Sequence, residues 1–140
     1  MNSYNKFIKN ITLEIIQPME ILFSRRGDFQ DNKESVDIKL KLSYLGDNSL
    51  DEKQKLVLRP SFEIDLAQDE SSFYHQRTDF VVVIKISSKE VFEETWADEE
   101  VKQKFLEMQI KKTIWPILRQ QVLDGMSRLG LPAIPLPWLI

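Results

Sequence analysis

Apolar and polar residues alternate with a period of two through the first two thirds of the chain, and the period then lengthens. Ile11, Leu13, Ile15, Met19, Ile21 and Phe23 fall on odd positions. Val36, Ile38, Leu40, Leu42 and Tyr44 fall on even ones, with Asp37, Lys39, Lys41 and Ser43 between them. Leu56, Leu58, Phe62, Ile64 and Leu66 make a third run. A fourth, from Ser72 to Ser87, carries Tyr74, Thr78, Phe80, Val82, Ile84 and Ile86 on one face. Successive strand side chains point to opposite faces, so each run predicts a strand with one covered face, as in an antiparallel sheet. Gly46 to Ser49 and Gln68 to Ser71 read as short turns, and Gly27 to Ser35 as a longer loop that contains one apolar residue, Phe29. Pro18 and Pro60 lack a backbone donor, so each marks a bulge or an edge.

From Asp98 the spacing is helical. Val101, Phe105, Met108, Lys112 and Trp115 share a stripe, with Leu106, Ile110 and Ile114 on its flank. Asp98, Glu99 and Glu100 suit a helix start, where carboxylates oppose the dipole. Pro116 predicts a break or kink and the entry to a second helix. That helix carries Ile117, Leu118, Val122, Met126 and Leu129, and Gly130 suits the position just past its end. The order is ββββαα. It predicts an α+β fold, a four-stranded antiparallel sheet followed by a long helix broken near Pro116 and a proline-rich tail, in one domain spanning residues 1–140.

A chain of 140 residues can bury a core without staples, and it has no cysteine. That excludes disulfides and thiolate chemistry and fits a reducing cytoplasm. The net charge of −3 lacks the basic footprint of a nucleic-acid binder. Phe80 to Ile84 is the longest apolar run, far too short to span a membrane.

Candidate catalytic chemistry is sparse. His75 is the single histidine and sits in a strand pattern. One histidine cannot build a histidine metal site. No phosphate-binding or nucleophile-elbow motif occurs, so no cofactor is expected. The acidic run at Glu93, Glu94, Asp98, Glu99 and Glu100 reads as a helix start and a solvated face. Trp115 continues an apolar stripe, whereas Trp138 lies on the terminal tail and must dock on its own domain, on another subunit or on a ligand.

Trp115-Pro116-Ile117-Leu118-Arg119, then Ser127-Arg128, Gly130 and Pro132, then Ile134, Leu136 and Pro137 carry a family resemblance. So does Glu20-Ile21-Leu22-Phe23, more weakly. The chain resembles SecB, the tetrameric, ATP-independent chaperone of bacterial protein export. The resemblance implies a sheet packed on a long helix, a homo-oligomer built as a dimer of dimers, and apolar grooves that hold unfolded polypeptide clients. It makes Glu20 a partner-facing residue. Ser24, followed by Arg25 and Arg26, stands where the family has a glutamate implicated in docking the SecA motor. The chain also stops at Ile140, near where SecB continues into a motor-binding tail. Both speak against SecA handoff.

The expected client contacts are Phe29 in its polar loop and Leu131, Ile134, Leu136 and Trp138 in the tail, apolar residues on segments that need not be core. A dedicated adaptor or assembly subunit, bound to one folded partner through the tail and a sheet edge, is the alternative. A small-ligand carrier or enzyme with a cavity between sheet and helix ranks third.

Overall fold

The computed structural model describes residues 2–31, 35–134, 136 and 137. The chain begins with a helix that the alternation did not reveal, α1 (Ser3–Lys9). Strands β1 (Ile11–Arg25), β2 (Asp37–Tyr44), β3 (Ser49–Leu50), β4 (Lys55–Leu58), β5 (Pro60–Gln68) and β6 (Ser71–Ile86) follow. The helical half comprises α2 (Lys89–Trp96), α3 (Glu99–Gln103), a π-helical segment (Lys104–Gln109) and α4 (Ile110–Arg128).

The sheet has six strands rather than the expected four. The cause is interruption. β4 and β5 follow one another along the same edge of β6, with Leu58 opposite Val82 and Ser61 opposite Asp79 in an unbroken register. Arg59 and Pro60 separate them, where proline cannot supply a ladder donor. β2 and β3 are likewise parted at Leu45 to Asn48. The tight turn therefore lies later than expected, where Asp51 Oδ1 accepts from the amides of Lys53 and Lys55 and Gln54 is left-handed at φ 59°. The Gln68 to Ser71 turn forms as expected, with Asp69 and Glu70 both left-handed.

β6 is the spine. β5 and β4 line one edge, and β1 runs antiparallel along the other, from Ile11 opposite Ile86 to Arg25 opposite Tyr74. β1 bulges between Leu13 and Ile15 and again between Pro18 and Glu20, which accounts for Pro18 in a strand. Each bulge swaps its faces, so the odd-numbered apolar residues do not share one side.

The helices cover the face that carries Leu56, Leu58, Phe62, Ile64, Leu66, Tyr74, Phe80, Val82 and Ile84. These side chains form one core with Ile110, Ile114, Leu118, Val122 and Met126 of α4. Pro116 lies inside α4 and does not break it. The irregularity sits one step earlier, in the π-helical segment, where the Ile110 amide donates to Phe105 five residues back. The Leu106 carbonyl in that segment accepts from the Tyr44 hydroxyl at 2.5 Å. α4 ends as expected. Gly130 is left-handed at φ 72°, and the amides of Leu131 and Gly130 donate to the carbonyls of Met126 and Ser127, satisfying the last turn.

Gly125 is a point of close approach between helix and sheet. A Cβ there would lie 2.5 Å from Phe23 Cδ1 and closer still to the Tyr74 hydroxyl. Alanine is otherwise favoured over glycine within a helix by about 1 kcal/mol. Gly125→Ala is expected to reverse that preference and lower stability by about 1–3 kcal/mol, the usual cost of overpacking. Denaturant melts of the two proteins check it; an unchanged or raised midpoint would place Phe23 and Tyr74 elsewhere.

Candidate functional site

An apolar opening lies between α1, the α1-facing side of β1 and β6, and the π-helical segment with α4. Its volume is about 380 Å³. Tyr4 and Ile8 of α1, Leu13 and Ile16 of β1, and Phe105 and Ile110 form its apolar walls, and Asn5, Gln109 and Thr113 supply neutral polar groups. No carboxylate or basic group lines it.

The sequence builds the α1 wall firmly. Asn2 Oδ1 caps the helix by accepting from the Asn5 amide at 2.8 Å. Phe7 is 0% exposed and packs against Trp96 and Phe105 at centroid distances of 5.3 and 4.9 Å. Asn10 then holds the end of α1 to the start of α2. Its side chain donates to the Ser88 carbonyl and accepts from the Ser88 amide, both at 2.8 Å. Tyr4, Phe7 and Ile8 have i, i+3, i+4 spacing, a helical signal in the sequence that strand periodicity overshadowed.

A second groove runs along the other flank of the π-helical segment. Leu42, Tyr44 and Leu106 form its apolar part, with Gln103, Glu107 and Lys111 at its rim. The π-helical segment is therefore the wall between two grooves.

The expected client residues separate. Phe29 and Leu131 line a third cleft together with Arg25, Asp31, Gly130 and Pro132. Phe29 is half-buried, stacked edge-on against Phe73 at 5.5 Å. Its neighbour Gln30 is held because the Gln68 side chain pairs with both backbone groups of Gln30 at 2.9 and 3.0 Å. Leu131 and Leu136 are buried in their own domain, and Ile134 packs partly against the core. The tail is held by its backbone: the Trp115 indole donates to the Pro137 carbonyl at 2.8 Å and Arg119 Nε to the Leu136 carbonyl at 3.1 Å. The premise that these apolar tail residues stand free thus fails for Leu131 and Leu136. Trp138 lies outside the described residues.

Glu20 is exposed on the uncovered face of the sheet, opposite Asp79. Arg77 and Asp79 form an ion pair there at 2.7 Å, and Ser61 donates to Asp79 at 2.6 Å. Glu20 adds to the field that favours the Arg77 guanidinium, after Asp79 itself. His75 lies on the same face beside Asp65, at 3.6 Å, away from all three grooves. Among the described residues no group of acidic and histidine side chains could hold a metal ion.

β1 is the most unusual surface. Leu13, Ile15, Met19, Ile21 and Leu22 are exposed along it, Met19 by 66% and Leu22 by 51%. Among the described residues only Leu45 and Met108 are comparable large apolar side chains elsewhere. β1 is paired on one edge only. Natural sheets normally protect such an edge with charge, and Glu14 is spent instead on Lys55, at 2.7 Å.

The hydrogen bond from Arg77 holds the Asp79 carboxyl below its ordinary range, against the opposing effect of burial and with help from Ser61 and the Arg77 charge. A carboxylate with a lowered folded-state pKa stabilises the fold above the ordinary carboxylate value and loses that contribution as pH falls through the folded value. Asp79→Asn is therefore expected to destabilise the protein at neutral pH and to flatten the acid side of its stability profile. Thermal melts from neutrality to about pH 3 would show parallel profiles if the ion pair contributes nothing.

No known family's sequence profile matches the chain, and no curated protein is significantly similar to it in sequence. Solved structures do match. The Mycobacterium tuberculosis Rv1957 SecB-like chaperone, in complex with a ChAD peptide from the Rv1956 HigA1 antitoxin, superimposes with a TM-score of 0.67 at 12% identity, over 98% of this chain and 96% of that one. A Streptococcus agalactiae protein of unknown function aligns at 0.42 and 11% identity, over 91% of this chain and 97% of that one. The architecture is that of a SecB-like fold: an antiparallel sheet with a C-terminal helix.

Proposed function

We propose that this protein is an ATP-independent holdase chaperone that keeps unfolded or export-bound polypeptide segments in the groove between α1, β1 and α4. The observation that carries the reading is that groove, apolar, open and walled by an anchored helix. The fold shared with a SecB-like chaperone supports it. Unfolded chains offer extended backbone and scattered apolar side chains. One such side chain, once buried, contributes about 1.5–3 kcal/mol, against the roughly 8 kcal/mol of micromolar binding. Several grooves must therefore act together.

Self-assembly supplies them. β1 presents an unpaired edge with apolar groups on both faces, which suits pairing with a second copy. A dimer formed there, and a dimer of dimers beyond it, would multiply the grooves. Arg25 donates to Leu129 and Asp28, so the segment beginning at Ser24 presents a committed cation rather than the acidic surface associated with SecA docking. A dedicated adaptor is the second reading, favoured by one observation: the structural neighbour was solved with a peptide from a single antitoxin.

In an ATP-free assay the protein is expected to suppress aggregation of a chemically unfolded polypeptide at near-stoichiometric ratio. Leu13→Ser combined with Ile8→Ser is expected to reduce suppression several-fold with the fold retained by circular dichroism. Full suppression by that variant would move the client site elsewhere, and none by the parent protein would favour the adaptor. Separately, Ile15→Lys with Leu22→Lys is expected to shift the sedimenting species to the monomer; an unchanged mass would exclude β1 as the contact.

A further inference from the structure

We propose that the groove beside α1 selects apolar segments flanked by acidic residues, a refinement that rests on the holdase reading above. Several basic side chains gather beside the groove. α1 contains Lys6 and Lys9 and no acidic residue. Helical spacing puts Lys9 next to the groove-lining Asn5, and Lys6 one step further round. Both are exposed, and neither is in an ion pair among the described residues. Across the opening, Lys104 Nζ stands 4.2 Å from the ring centroid of Tyr4, a groove wall. Lys112 is exposed beside the groove-lining Thr113.

Two of the nearby acidic groups are spent or face away, and Glu100, one turn before Lys104, remains on that side. Glu14 binds Lys55 at 2.7 Å, and Glu107 lines the groove on the opposite flank of the π-helical segment. The positive rim is local, since the whole chain carries −3. An apolar interior accepts uncharged side chains only, because an ionised group there would lose its hydration without a partner. Charge recognition is therefore left to the residues on either side of the buried segment. An extended chain advances about 3.3 Å per residue, so flanking carboxylates a few positions out remain within the range over which exposed charges act at low salt.

The test uses the full chain and three fluorescent peptides with one apolar core, flanked by Glu-Glu, Ser-Ser or Lys-Lys, measured by anisotropy. The Glu-flanked peptide is expected to bind roughly tenfold more tightly than the Lys-flanked one at low ionic strength, with Ser-Ser between. The difference is expected to vanish in roughly 0.5 M salt. Lys6→Gln with Lys9→Gln, which leaves Lys104 on Tyr4, is expected to remove about half of the preference. Equal binding of the three, or preference for Lys-Lys, would overturn the inference while leaving the holdase reading intact. Failure of all three would sink that reading as well. Binding that appears only when self-association is disrupted by the β1 substitutions would give the groove to a second copy and overturn the inference too.

Discussion

Everything in this molecule hangs on one strand. β6 pairs on both edges along its length, with β1 on one side and β5 then β4 on the other. Its helix-facing row supplies Tyr74, Phe80, Val82 and Ile84 to the core, and the same row continues through Val82 and Ile84 as the floor of the groove. Pairing on both edges leaves no freedom in register, because a slip by one residue would exchange the buried row for the polar row with Arg77 and Asp79. The polar members of the buried row are satisfied internally: Tyr74 donates to Gln76, Gln76 to Thr78, and Thr78 to Gln121 of α4. That chain of hydrogen bonds fixes where α4 crosses, and with it the position of Gly125 over Phe23.

The sheet was legible in the sequence because alternation is a direct print of burial. The rows in β2, β5 and β6 hold as read. Interruption was not legible, since Arg59 and Pro60 break hydrogen bonding without breaking the alternation of side chains. β1 misled for a related reason. Its bulges shift faces midway, so a constant odd-position pattern corresponds to two different sides. Pro116 misled in the opposite direction. Proline removes one donor, and α4 tolerates that loss where tertiary packing of Trp115 and Leu118 holds the helix on the sheet. The π-helical segment has no sequence signature of its own.

Apolar surfaces were legible in kind but not in place. Apolar residues on the tail and in the Phe29 loop stood out because their neighbours are polar, yet a tail can fold back. Trp115 and Arg119 hold it by its carbonyls, which no side-chain pattern encodes. The groove arises from residues far apart in sequence, Tyr4 and Thr113 among them, and its α1 wall rests on an asparagine whose partner is 78 residues away.

On the holdase reading proposed above, that anchoring bears on how cargo would be released without an energy source. The α1 wall is anchored by the packing of Phe7 and the hydrogen bonds of Asn10. Capture and escape would then share one path, and residence time would reflect the strength of contact. An occupant able to fold would leave whenever its own collapse outcompeted rebinding, whereas one unable to fold would keep returning. Timing would be governed by the cargo, with the groove acting as a passive clock face rather than the mechanism.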